Sequence, residues 1–187
     1  MRHYKDQILA RDFFTVETIF LKTIYVFFFI ELGSRRVHFA GCTTNLDGSW
    51  VTQQARQLVW EMEDREPRLH FLIHDRDGKF TDTFDAVFRS EGLKIILTPT
   101  RAPNANSHAE RWVRSVRTKS LDKLLIFNQS HLRSVMSEHV DYYNTARPHQ
   151  GIDLQTPICR TTQSRDGPIR CRNILGDIIH DYLRKAA

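Results

Sequence analysis

Residues 11–44 read RDFFTVETIFLKTIYVFFFIELGSRRVHFAGCTT, and this stretch decides the fold. Three segments within it, 11–19, 23–32 and 35–44, are rich in the aromatic and β-branched side chains that favour β-strands. The Gly-Ser pair that begins at Gly33 is typical of a tight hairpin turn between the second and third segments. The sequence therefore predicts three consecutive strands in an antiparallel meander.

The rest of the chain alternates between helical and extended patterns. Apolar residues recur at helical spacing from Ser49 and stop at Pro67. The elements that follow are a strand (69–75), a helix (81–92), a strand (93–99), a helix (106–127) and a helix (130–146). This order is typical of an α/β, RNase H-like fold with a mixed five-stranded sheet flanked by helices. We expect a core domain at 1–152 and a C-terminal appendage at 153–187 that docks through a strand or short helix.

Composition narrows the classes of function. The 187 residues include 27 Lys and Arg against 22 Asp and Glu, and the net charge of +5 favours a polyanionic partner such as nucleic acid. The three cysteines are widely spaced without a CxxC pair, so they indicate neither a disulfide framework nor a zinc ribbon. The most apolar run, 23–32, is too short to span a membrane, and no export signal is visible. We expect a cytoplasmic protein with no membrane partner.

Acidic side chains near the ends of the predicted strands are the candidate catalytic groups. Asp12 lies in the first strand, and both Asp75 and Asp77 follow the fourth. Glu110 lies on the helix after the fifth strand, where 100° spacing puts it on a stripe at the edge of the apolar face. Three converging carboxylates repel one another unless cations lie between them, so their convergence predicts hard divalent ions, Mg²⁺ in particular. Two such ions suit the in-line displacement of a phosphodiester.

Each acid also has a structural interpretation. Asp12 could be a strand-edge acid paired with a neighbouring arginine. Asp77 begins an Asp-Gly pair that is typical of turns. Glu110 could form a helix-surface ion pair with Arg114, four residues further on. His74, next to the acids of the fourth strand, suits a structural donor as well as a catalytic group. The residues alone leave these interpretations open.

Four motifs together resemble the catalytic core of the DDE transposases and retroviral-type integrases, as found in bacterial insertion sequences. They are RDFFTVET (11–18), HDRDGKF (74–80), TPTRAPNANSHAERWVRSVR (98–117) and YYNTARPHQGI (142–152). The 34 residues between Asp75 and Glu110 are close to the separation characteristic of that family. The resemblance covers about residues 8–152. Within the last motif, Arg147 and His149 are interpreted as anchors of the final helix.

The resemblance implies a DDE-type polynucleotidyl transferase that catalyses DNA cleavage and strand transfer in DNA integration and transposition. It implies that Asp12, Asp75 and Glu110 are catalytic and bind two Mg²⁺ (or Mn²⁺) ions. The DNA contacts that it implies are Arg101, Arg114, Arg117 and Lys119. Its partners would be transposon ends and target DNA, and the chain would act as a homo-oligomer in the bacterial cytoplasm, associated with the nucleoid.

Two departures from the family pattern accompany the resemblance. Asp77 stands where the family usually has glycine, so we expect Asp75 to be the ligand and Asp77 to be the turn residue beside Gly78. Only eleven residues precede Asp12, so the helix-turn-helix region that such transposases carry upstream is missing, and we expect an isolated core or a truncated gene. The alternative functions are an RNase H-like nuclease that cuts without joining and an inactive DNA-binding remnant.

Overall fold

The computed structural model describes residues 2–62, 68–74, 82–97, 107–159 and 167–184. Its strands are β1 (Ile8–Glu17), β2 (Thr23–Glu31), β3 (Val37–Thr43), β4 (Phe71–His74), β5 (Lys94–Leu97), β6 (Ile169–Ile174) and β7 (Ile179–Arg184). Its α-helices are α1 (Gly48–Glu61), α2 (Asp82–Ser90), α3 (Ser107–Lys119) and α4 (Gln129–Thr145). The predicted order of elements is confirmed. None of the helices in these ranges is both long and apolar enough to cross a membrane.

Five of the strands form one mixed sheet in the order β3-β2-β1-β4-β5. β2 pairs antiparallel with both β1 and β3, as the meander predicted. β4 runs parallel to β1 and to β5, which requires the helical crossovers that follow the meander. The arrangement confirms the predicted α/β class, and it makes β1 the central strand of the sheet.

Alternation along β1 divides the core between the two faces of the sheet. Ala10 and Phe14 belong to the core formed with α3 and α4, whereas Leu9 belongs to the core formed with α1 and α2. Trp112 of α3 is 1% exposed and lies against the first of these cores. Asp12 has the same parity as Ala10 and Phe14. The strand therefore turns Asp12 toward the face that carries α3.

α3 ends earlier than the sequence pattern predicted. The prediction was one helix from 106 to 127, but α3 ends at Lys119, and Ser120 has non-helical angles of φ −135° and ψ −65°. Ser120 is fully buried, and its Oγ lies 2.7 Å from Nδ1 of His139 on α4. Because this buried hydrogen bond fixes Ser120 against α4, the chain leaves the helix there. The predicted C-terminal end of this helix is therefore wrong.

The C-terminal residues 169–184 form a hairpin that packs on α4. β6 and β7 pair antiparallel in a separate two-stranded sheet. Ile174 and Leu175 are buried in the core shared with α4, and the backbone N–H of Leu175 donates to Oε1 of Glu138 at 2.8 Å. The turn passes through Gly176 at φ 61°, a conformation that glycine adopts without strain. The tail docks through this hairpin, and the domain boundary at residue 152 stays a prediction.

Candidate active site

Asp12 and Glu110, which come from different elements, line the same cavity. Asp12 lies on the central strand β1, opposite Phe28 of β2, and Glu110 lies in the first turn of α3. The cavity has a volume of about 400 Å³, and Arg114 and Arg117 also line it. The stripe predicted along the edge of α3 therefore faces the strand that carries the first acid.

Asp12 is half-buried in a strongly apolar strand. Its carboxylate accepts a hydrogen bond of 2.8 Å from the backbone N–H of Phe13. The residues two positions away on the same face, Ala10 and Phe14, are buried. A carboxylate in such surroundings is costly unless it is hydrogen-bonded and compensated by positive charge. The position of Asp12 is therefore chemically suited to a cation or a cationic side chain within the cavity.

Arg117 and Arg114 differ in how firmly they are held. Nη2 of Arg117 donates to the backbone carbonyl of Thr15 at 2.7 Å, and its guanidinium carbon lies 5.5 Å from the ring centroid of Phe14. Arg117 therefore braces α3 against β1 beside Asp12. A guanidinium has five N–H donors, so these two contacts leave Arg117 with donors for a second partner. Arg114 is exposed at the surface of α3.

The cavity supplies part of the donor set that a divalent ion needs. Across the described ranges, no three His, Cys, Asp or Glu side chains come together as a metal-ligand group. Asp12 and Glu110 supply two carboxylates, whose hard oxygen atoms are the ligands that Mg²⁺ prefers. Asp122 also lines the cavity, but it follows the C-terminal end of α3, whereas Glu110 lies in the first turn. The third predicted ligand, Asp75, lies outside the described residues.

Lys119, another predicted DNA contact, does not line this cavity. Lys119 lines a second cavity on a different side of α3. Arg101 lies outside the described residues, as does Asp77. The structure therefore brings Arg114 and Arg117 together with two of the three predicted carboxylates and separates Lys119 from them. The sequence did not predict a role for Asp122. The predicted helix ran to residue 127, so Asp122 was expected inside the helix and not after its end.

His74 has a structural role on the opposite face of the sheet. Its Nε2 lies 2.9 Å from Oδ1 of Asp85 on α2, and Arg89 donates to the other carboxylate oxygen at 3.1 Å. The ring of His74 is buried and meets the ring of Phe84 edge-on, with 6.0 Å between the centroids. His74 therefore ties the end of β4 to α2, and its ring does not enter the carboxylate cavity.

The sheet order, with carboxylates presented by β1 and α3 to one cavity, is that of an RNase H-like α/β fold. Residues 91–157, which include α3 and α4, match the family model of the integrase core domain. That match includes Glu110 and the two arginines beside it on α3, Arg114 and Arg117. The comparison with curated proteins gives no match.

Several solved structures share this fold. The HTLV-2 integrase catalytic core domain, in complex with magnesium and in a dimeric form, is similar with a TM-score of 0.60 and 11% identity over 82% of this chain and 94% of that one. The catalytic core domain of BIV integrase gives 0.57 and 16% over 81% and 91%. The Mos1 transposase catalytic domain, solved with Raltegravir and Mg, gives 0.59 and 10% over 73% and 72%. These likenesses confirm the predicted RNase H-like fold.

Proposed function

We propose that the chain cleaves DNA phosphodiesters and joins the resulting 3′ ends to target DNA, with Asp12, Asp75 and Glu110 as the carboxylates of the site. The observation that carries the proposal is that Asp12 and Glu110 line one cavity although they come from β1 and α3. Glu110 lies within the part of the chain that matches the integrase core domain.

Chain position and strand register support Asp75 as the third carboxylate. Asp75 follows His74, the last residue of β4, directly in the sequence. In the parallel pair of β1 and β4, Ala10 lies beside Ile73, and Ile73 packs on the face that carries α3. Asp75 lies two positions after Ile73 in the sequence, and we take this proximity to the β1–β4 pairing as support for its role. Asp77 is assigned as the turn residue beside Gly78.

The carboxylates also suggest the cofactor. Asp12, Asp75 and Glu110 offer only oxygen ligands, which suit Mg²⁺ or Mn²⁺, and we assign them two ions. When bound, such a pair of ions supplies activation of the attacking hydroxyl and stabilisation of the leaving oxygen. The HTLV-2 and Mos1 structures contain magnesium, which supports this choice. The chain itself contributes the rigid placement of Asp12 on the central strand and of Glu110 in the first turn of a helix.

The arginines beside the carboxylates are assigned to the DNA backbone. Arg117 is held by Thr15 and Phe14 and keeps spare N–H donors, and Arg114 is exposed on the same stripe. Both would contact phosphates and therefore contribute affinity without reading sequence. The partners proposed are transposon ends and target DNA, with the chain acting as a homo-oligomer. The dimeric form of the HTLV-2 core supports the oligomer, and the nucleoid location stays a prediction.

The test is a strand-transfer assay with duplexes that carry a recessed 3′ end, supercoiled plasmid as target, and Mg²⁺ present or removed by chelation. We expect metal-dependent joining, reduced on the order of a hundredfold or more in Asp12→Asn and Glu110→Gln. Asp122→Asn is the matched control, because Asp122 lines the same cavity at the other end of α3, and it should retain activity.

Three outcomes would contradict the proposal. Joining by Glu110→Gln at the wild-type rate would remove Glu110 from the site. Metal-dependent cutting without joining would favour the nuclease alternative. DNA binding without any cleavage or joining would favour the inactive remnant.

A further inference from the structure

A second cavity, of about 500 Å³, lies on another side of α3. Its walls come from three places: the turn between β2 and β3, helix α3, and the C-terminal end of α4 with the residues after it. The basic side chains among its lining residues are Arg35, His108, Arg111, Lys119, Arg147 and His149. We call it the basic cavity.

The basic cavity concentrates positive charge without a compensating acid. Arg35, Arg111, Lys119 and Arg147 line it, and no Asp or Glu does among the described residues. The pKa of Lys119 is lowered, first by the charge of Arg147 and then by burial. Burial and then the charge of Arg111 act to lower the pKa of Arg35. Cations held this close repel one another, so an anion in the cavity would relieve the repulsion.

Two buried N–H donors belong to residues that line the basic cavity. Nη1 of Arg35 and Nε1 of Trp112 are buried and have no hydrogen-bond acceptor within the described parts of the chain. Trp112 is 1% exposed, so its indole N–H is removed from bulk water. A buried donor without an acceptor costs about 1–3 kcal/mol. Because both atoms are shielded from solvent, they are also shielded from a ligand in the cavity, and the charges of the four basic side chains carry the case for an anion.

Arg35 is held in the cavity at a cost in backbone conformation. Its φ of 66° lies in the left-handed region, which side chains other than Gly and Asn rarely adopt. The turn around it is fixed because the N–H of Arg35 donates to the carbonyl of Glu31 at 3.0 Å. A Cβ added at Gly151 would lie 3.4 Å from Nη2 of Arg35, so the chain passes close to the guanidinium.

Arg147, another residue that lines the basic cavity, is fixed by contacts of its side chain. Its Nη1 donates to Oγ of Ser115 at 2.5 Å, and its guanidinium carbon lies 5.4 Å from the ring centroid of Tyr143. Nε2 of His149 lies 3.1 Å from the carbonyl of Tyr143. The interpretation of Arg147 and His149 as anchors of the final helix agrees with these contacts. The same contacts hold Arg147 rigidly in a cationic wall.

We propose that the basic cavity binds a phosphodiester group of the DNA backbone, at a site separate from the carboxylates. The inference rests on the proposed function in that DNA is the substrate. Arg111, Ser115 and Lys119 lie about 100°, 140° and 180° around helix α3 from Glu110, on the side away from the carboxylates. A helix with its side chains is about 10–12 Å wide, and phosphates repeat about every 3.4 Å along a DNA strand. One strand laid across α3 therefore reaches both cavities.

The test compares two double variants that remove the same formal charge. The cavity variant combines Arg111→Gln with Lys119→Gln and removes the two exposed charges of the basic cavity. The control variant combines Arg56→Gln with Arg133→Gln and removes two exposed arginines on α1 and α4. Affinity for random-sequence duplex DNA is measured by fluorescence anisotropy over a range of salt concentrations without divalent ions. Thermal unfolding of each variant confirms that it is folded.

We expect the cavity variant to bind DNA roughly tenfold more weakly than the control variant. The slope of log affinity against log salt should fall by about 0.9 for each lost phosphate contact. Equal binding by the two double variants would overturn the proposal. The experiment measures no chemistry, so an inactive wild-type chain would refute the cleavage proposal without affecting this result.

Amine acetylation followed by mass spectrometry distinguishes DNA from a free anion as the occupant. Duplex DNA should protect Lys119, which lines the basic cavity, and leave Lys123, which is exposed nearby, reactive. Inorganic phosphate at matched ionic strength is the second probe. Protection of Lys119 by inorganic phosphate but not by DNA would identify a small-anion site and overturn the proposal.

Discussion

Nη2 of Arg11 lies 3.2 Å from Nδ1 of His74, which links the central strand β1 to β4 at the residues that precede Asp12 and Asp75. Arginine only donates hydrogen bonds, so Nδ1 of His74 must accept. The proton of the neutral ring is then on Nε2, which donates to Oδ1 of Asp85 at 2.9 Å. The side chains on this face of the sheet thus hold the end of β4 against β1 beside Asp12, whose own side chain belongs to the other face.

Removing the ring of His74 should destabilise the protein. In His74→Ala, Arg11 and Asp85 lose the group that joins them while both stay buried, and breaking a buried polar link of this kind costs about 3 kcal/mol. Urea unfolding measures the difference. His70→Ala is the matched control, since His70 is exposed just before β4, and its free energy of unfolding should stay within about 0.5 kcal/mol of the wild type.

Substitutions of Asp75 and Asp77, the two aspartates after β4, should differ in their effect on strand-transfer activity. Asp75→Asn is expected to abolish metal-dependent strand transfer, because Asp75 supplies the third carboxylate of the proposed site. Asp77→Asn is expected to retain it, because a turn residue beside Gly78 tolerates the amide. Both variants are assayed with the same pre-cut duplex. Full activity of Asp75→Asn together with loss in Asp77→Asn would reverse the assignment.

Arg117 and Arg114 should differ in their effect on stability. Arg117→Ala removes the hydrogen bond to Thr15 and the contact with the ring of Phe14, and we expect a loss of about 1 kcal/mol. Arg114→Ala removes an exposed side chain and should change stability by less than about 0.5 kcal/mol. Both should weaken DNA binding uniformly across sequences. Denaturant unfolding and anisotropy separate the two effects, and a sequence-dependent loss would contradict the phosphate assignment.

Stability should fall on acidification because of His139. Burial, with the charges of Arg147 and Lys119, lowers the pKa of His139 from 6.5 to about 4. Between these values the unfolded chain binds a proton that the folded chain does not, so the free energy of unfolding decreases as pH falls from 7 toward 4. His139 alone should account for about 2 kcal/mol between pH 7 and pH 5.

The measurement is the free energy of unfolding at several pH values, with an NMR titration of the His139 ring. His139→Asn cannot take up this proton, so its unfolding free energy should depend less steeply on pH than that of the wild type. Equal pH slopes for the two proteins, or a ring that titrates near 6.5, would contradict the prediction.

The fold was accessible from the sequence because its signals are local. The aromatic and β-branched runs around Phe14 and Phe28 predicted the meander, and the 3.6-residue period predicted the helices. The C-terminal end of α3 was missed because a long-range contact decides it. Ser120 leaves the helix to meet His139, which is 19 residues away, and no local pattern around Ser120 signals that hydrogen bond.

The site was accessible in part. Helical spacing put Glu110 on the edge of α3 that faces the cavity, and Arg114 and Arg117 followed from the same geometry. The basic cavity was not predicted because its walls come from distant segments. Arg35 on a hairpin turn and Arg147 after α4 meet α3 only in the folded chain, so their charges had no local context that marked them as a group.

The central position of β1 also has a consequence for folding. Its parallel pairing with β4 joins residues 63 positions apart, such as Ala10 and Ile73, and closing so long a loop is slow compared with forming the meander. The end of β4 reaches Asp12 only after that closure. A partly folded chain therefore lacks the assembled junction of β1 and β4 beside Asp12, and the proposed cleavage of DNA depends on this late contact.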